Sequence, residues 1–119
     1  MPIPVRIFLD EREYPRSEII FRDVVARFTK TLSAEHMKTG IARIKLGRSL
    51  LKQRRYRDAE IESRAGCDIL AKQANPNVSW LQNARTDLAE EYDALEQPDL
   101  ASHFRAQGQP QSSAALVPC

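Results

Sequence analysis

Cysteine is nearly absent from this sequence: Cys67 and Cys119 are the two in 119 residues. Neither belongs to a CxxC pair, which excludes the common zinc and thioredoxin-type motifs. Cys67 falls within a helical pattern and Cys119 is the last residue, so free thiols are expected rather than a structural disulfide. No apolar run approaches the roughly 18–20 residues that cross a bilayer, and no membrane partner is expected. The opening "MPIPVRIFLDERE" has two prolines and then acids, with no apolar signal stretch, so a cytoplasmic setting is expected. Phosphate loops, GxGxxG, HExxH and GxSxG are all missing. The two histidines, His36 and His103, have no cysteine or carboxylate at ligand spacing. Glu90, Glu91, Asp93 and Glu96 form an acidic run, but neighbours on a helix project about 100° apart, so a solvated face is expected. The chain reads as non-enzymatic, with no catalytic, cofactor-binding or metal-ligating residues.

What is present is a globular composition, 42% hydrophobic and 29% charged, on a length that suits one small domain. The net charge of +2 conceals a split. Residues 1–57 hold 14 Lys/Arg against 6 Asp/Glu, and residues 58–119 hold 4 against 10. A nucleic-acid binder keeps a basic excess over a whole face, so this polarity argues only weakly for such a partner.

The chain also repeats itself. A shift of 42 residues sets Leu9 on Leu51, Arg12 on Arg54, Tyr14 on Tyr56 and Glu18 on Glu60. The same shift sets Ala42 on Ala84, Arg43 on Arg85, Leu46 on Leu88, Gly47 on Ala89 and Ala59 on Ala101. Apolar and small residues within each period step by three or four, as in Ala42, Leu46, Leu50 and in Phe21, Val24, Phe28, which marks helix faces. Pro15, Ser33, Asn75-Pro76 and Pro98 fall between the stripes as starts and caps. The fold class expected is all-α, as stacked antiparallel helical hairpins. A helix stub is expected near 5–12, then helices near 15–32, 35–53, 57–74, 78–95 and 98–107. Residues 1–12 read as the remnant of a first repeat helix, 13–107 as the repeat domain and 108–119 as a disordered tail.

Leu46-Gly47, Leu50, Tyr56 and Ala59 together resemble the tetratricopeptide repeat, with Leu88, Ala89 and Ala101 as the second copy. In that family a Leu-Gly pair sits mid-helix, an aromatic opens the next helix and a small residue follows it. The usual period is about 34; the longer one here is similar to the kinesin-light-chain variety, and "AEHMKTGIARIKLGRSLL" is particularly like it. The resemblance covers about residues 7–107 in degenerate form, and such repeats also occur in the C-terminal regions of bacterial serine/threonine kinases of eukaryotic type. The second copy departs from the pattern: Ala89 replaces Gly47, Pro98 replaces Tyr56 and Arg105 replaces Ser63. That suits a terminal repeat with one face toward water.

The resemblance implies an α-solenoid fragment of about two and a half repeats whose first helices line a groove. Ile44, Arg48, Leu51 and Lys52 from one hairpin, with Asn83, Thr86, Glu90 and Asp93 from the next, are expected to face it. The partner would be another protein, met as a peptide or a helix. A kinase-associated repeat region is the alternative. Self-association, or an upstream repeat domain, would cover the face bearing Phe21, Val24 and Phe28. A weaker reading takes Arg48, Lys52, Arg54, Arg55 and Arg57 as a nucleic-acid patch; a solvated bend between helices, with Tyr56 tucked into the hairpin, fits "KQRRYR" better.

Overall fold

Apolar residues three and four apart wind into five helices, which a computed structural model describes over residues 5–106 together with Cys119, with side chains from residue 13. They are α1 (Val5–Thr31), α2 (Met37–Lys52), α3 (Tyr56–Ala71), α4 (Val78–Ala94) and α5 (Pro98–Ala106). No strand occurs among the described residues, as the all-α reading expects. Each helix packs on the next, and α2 also touches α4. Of the tail expected at 108–119, only Cys119 lies within the described residues.

Helix α1 departs from the expected stub and break: it continues through Pro15 for 27 residues. An internal proline forfeits one hydrogen bond and crowds the carbonyl four residues back, costing about 3 kcal/mol. Contacts from α2 and the bend after it offset this cost. Gln53 Nε2 donates to the Tyr14 carbonyl at 3.3 Å and to Glu18 at 3.2 Å, and Arg55 reaches Glu18 at 2.6 Å. The turn that contains the proline is therefore pinned from outside.

The helix ends follow local chemistry. His36 caps α2, its Nδ1 accepting from the Lys38 N–H at 3.0 Å, and Asn77 caps α4 by accepting from Trp80 N–H at 3.2 Å. Helices α2 and α4 end alike. Arg54 (φ 64°) and Glu96 (φ 61°) each take the left-handed conformation. Beyond them, Arg55 N–H bonds back to the Leu50 carbonyl at 3.0 Å and Gln97 N–H to that of Tyr92 at 2.8 Å. Arg54 and Glu96 stand one sequence period, 42 residues, apart, so the repeat recurs in the backbone.

The tightest packing joins α2 and α3. A Cβ on Gly47 would run into the Ser63 hydroxyl and come within 3.2 Å of the Ala59 carbonyl, as the sequence reading of this pair expects. A Cβ on Gly66 would sit 2.6 Å from the Gly40 carbonyl. Two apolar clusters flank this hairpin. One joins Ala42, Leu46, Leu50, Leu51 and Ala59 to Val25, with Phe21, Val24, Phe28 and Tyr56 against it. The other joins Ile44, Cys67 and Leu70 to Leu81, Ala84, Leu88, Tyr92, Ala101 and Phe104.

Cys67 and Cys119 are joined as a disulfide with 5.6 Å between their Cα atoms, against the expectation of free thiols. Cys67 is wholly enclosed and Cys119 packs at the edge of the second cluster, where the Arg85 Nε donates to its carbonyl at 3.2 Å. Sequence spacing carries no sign of a pairing made by packing across 52 positions.

Gly66→Ala should lower stability by about 1–3 kcal/mol, because the new methyl meets backbone that cannot turn aside, although alanine favours an isolated helix by about 1 kcal/mol. Urea unfolding monitored by circular dichroism measures this; a gain in stability would refute the close approach. Arg54→Gly and Glu96→Gly should each raise stability by about 0.5–1 kcal/mol in the same assay, by relieving left-handed backbone.

Candidate partner-binding surface

The period also organises burial. On α2, Ala42, Leu46, Ser49 and Leu50 are buried; one period on, so are Ala84, Leu88, Glu91 and Tyr92 of α4. The first set faces α1 and the second faces α2 and α3. Each of these helices thus turns one face to the element before it.

Two of the expected groove residues are corrected: α4 covers one, and the packing of α2 with α1 and α3 covers the other. Ile44 is wholly enclosed among Leu81, Ala84 and Leu88, and Leu51 is 4% exposed in the first cluster. Neither can meet a partner. Arg48 is committed as well: its Nε and Nη2 lie 3.1 and 3.2 Å from the two oxygens of Asp87, a two-pronged bond across the α2–α4 contact. Lys52 is exposed at the end of α2. On α4 the corresponding face stands open: Thr86, Glu90 and Asp93 are exposed and Asn83 is half-buried. Thr86, Glu90 and Asp93 line a pocket of about 410 Å³ with Arg85 and, from α5, Phe104 and Arg105. Arg105 is paired with Asp93.

The buried polar groups between α3 and α4 were not legible as such. Glu91, read from the sequence as part of a solvated face, is 0% exposed; its Oε2 accepts from the Ser63 hydroxyl at 3.0 Å and its Oε1 has no partner. Burial pushes its carboxyl up to about 9, with Asp87, Glu60 and Glu90 adding repulsion, so it is neutral at pH 7. Burial likewise raises Asp87, against the opposing pull of Arg48. Tyr92 donates to Glu60 at 2.6 Å and accepts from Arg64 at 2.9 Å; burial and the Glu60 carboxylate push its phenol to about 12. Ser63 and Glu91 are both fully enclosed, so no substrate reaches them and their pairing is a packing contact. A signal existed: Asp87 and Glu91 flank Leu88 on the face that the repeat marks as inward.

The basic bend is partly neutralised. Arg55 bonds Glu18 and Asp58, at 2.6 and 3.2 Å, and Arg48 is held by Asp87, leaving Lys52, Arg54 and Arg57 exposed. Burial alone would raise Glu18, but hydrogen bonds from Arg22 and Gln53 and the charges of Arg55 and Arg22 outweigh it and hold the carboxyl low. Tyr56 packs against the first cluster as expected. Among the described residues no group of side chains is placed to hold a metal, and no helix is long and apolar enough to cross a membrane. No known family, curated protein or solved structure matches this chain.

Between pH 4.5 and about 9 the unfolded chain releases a proton that the folded chain keeps on Glu91. Stability from this group is full below the lower value and falls as pH rises toward the upper one, by at most about 1.4 kcal/mol per unit. Glu91→Gln should flatten that slope between pH 5 and 8.5 in thermal melts; an unchanged slope would refute the assignment. Arg48→Met should cost about 2–3 kcal/mol by stranding a buried carboxylate, and Asp87→Asn about 1, because Arg48 keeps access to water. Chemical denaturation of the two variants tests that order.

Proposed function

We propose that the chain is a tetratricopeptide-like interaction module: stacked helical hairpins that hold a peptide or helix of another protein, with no catalysis of their own. The observation that carries this reading is the open face of α4. It corresponds, one period on, to the face of α2 that α4 itself covers. A surface that is a helix seat in one repeat and empty in the next is suited to a protein ligand. Its lining mixes an apolar wall, Phe104, with Thr86, the exposed Glu90, and the Asp93–Arg105 pair. Such a lining selects by charge pattern more than by hydrophobic area. Further support comes from the shared period of cap geometry and burial.

A photo-crosslinking residue at Thr86 should trap one partner, and Thr86→Arg combined with Glu90→Arg should reduce its capture at least tenfold while circular dichroism stays unchanged. Undiminished capture would overturn the assignment of this groove.

A second reading, self-association through α1, is favoured by Ile19 and Ile20, which are 70% and 57% exposed. Sedimentation at low and high salt separates the two, since a monomer at every concentration excludes it.

A further inference from the structure

A second groove, about 280 Å³, lies at the other end of the stack, between α1 and α2. Phe21, Val24 and Phe28 of α1 form one wall; Lys38, Ile41 and Lys45 of α2 form the other. One period later the same positions are Ser63, Gly66 and Leu70 of α3 and Trp80, Asn83 and Asp87 of α4. That later groove is filled, and by α2. Gly47 of α2 lies against Ser63, Ile44 against Gly66, and Arg48 is clamped on Asp87. The molecule therefore shows how such a groove is occupied and which contacts do it.

The chemistry of the open groove differs in two respects. Its floor is bulkier, with Phe21 and Val24 where Ser63 and Gly66 stand, so an occupant rests further out from α1 than α2 does from α3. Its charge is inverted: Lys45 stands where Asp87 does. Lys45 lies over the rings of Phe21 and Trp80, at 5.9 and 5.3 Å, with no carboxylate at ion-pair distance among the described residues. An occupant lying as α2 lies would bring to Lys45 the position that Arg48 holds, and that position calls for an acid.

We propose that the α1–α2 groove is a second docking site, taking from a partner protein an amphipathic helix that sets a carboxylate against Lys45. A second copy of this chain is poorly suited. Its α4 carries an acid, Glu90, at the matching position, but the face of α4 that would meet α1 is already covered by α5 through Ala89 and Ala101. The site is separate from the α4–α5 groove, so either reading can fail without the other.

The probe is a stapled, end-blocked peptide of residues 37–52, unaltered or carrying Arg48→Glu, titrated against the full chain by fluorescence anisotropy. The Glu peptide should bind at least tenfold more tightly than the Arg peptide. Lys45→Asp in the protein should reverse the order, Lys45→Met should level it, and Lys45→Arg should keep it. Equal binding of the two peptides, or an order indifferent to residue 45, overturns the proposal. So does tighter binding of the Glu peptide on Glu90→Arg, which would place it in the other groove. A dimer of the free protein that Lys45→Asp dissolves would make a second copy the occupant and overturn it as well.

Discussion

The close approach of α2 and α3 is the constraint on which the remaining packing depends. Gly47 leaves room for the Ser63 hydroxyl and the Ala59 carbonyl; Gly40 and Gly66 let two backbones meet a few residues away. Helices in such contact share a narrow, deep cleft rather than a wide one. Ser63 is thereby enclosed at a depth where only a side chain of α4 reaches it, and Glu91 does so. The same seating brings Arg48 into two-pronged range of Asp87. A pair of bulkier residues at these points would separate the hairpin and loosen both polar contacts together.

Charge is laid out along the stack in a consistent pattern. Helix α2 carries Lys45 over Phe21 of α1 and Trp80 of α4 and pairs Arg48 with Asp87 of α4; one period on from Lys45 and Arg48 stand Asp87 and Glu90. Inside the stack, cation meets anion across the α2–α4 contact. At the ends, a cation is left at one groove and an anion at the other.

The features readable in the sequence were those set by small residues and by periodicity. Gly47 and Ala59 announce a close approach because little else explains them on an apolar stripe, and the structure brings them together. Thr86, Glu90 and Asp93 lie exposed on α4 at positions one period beyond Ile44, Arg48 and Leu51. Ile44 was misplaced because a repeat names which face a helix offers, not whether a later helix takes it, and Leu51 because it joins the cluster of Val25, Leu50 and Ala59. Pro15 misled because its penalty is local while Gln53 and Arg55, which hold its helix together, lie far along the chain. The disulfide depends on a tertiary distance that no spacing encodes, whereas the inward position of Glu91 beside Leu88 was there to be read from the period.

The bond between Cys67 and Cys119 routes mechanical load. Tension applied at residue 119 passes directly to Cys67 in α3, bypassing α4 and α5. Those two helices form a shielded loop that cannot be drawn out while the bond lasts. At the other end α1 is described with noncovalent contacts alone, so a pulled molecule peels from α1 inward, surrendering the α1–α2 groove first and the α4–α5 groove last.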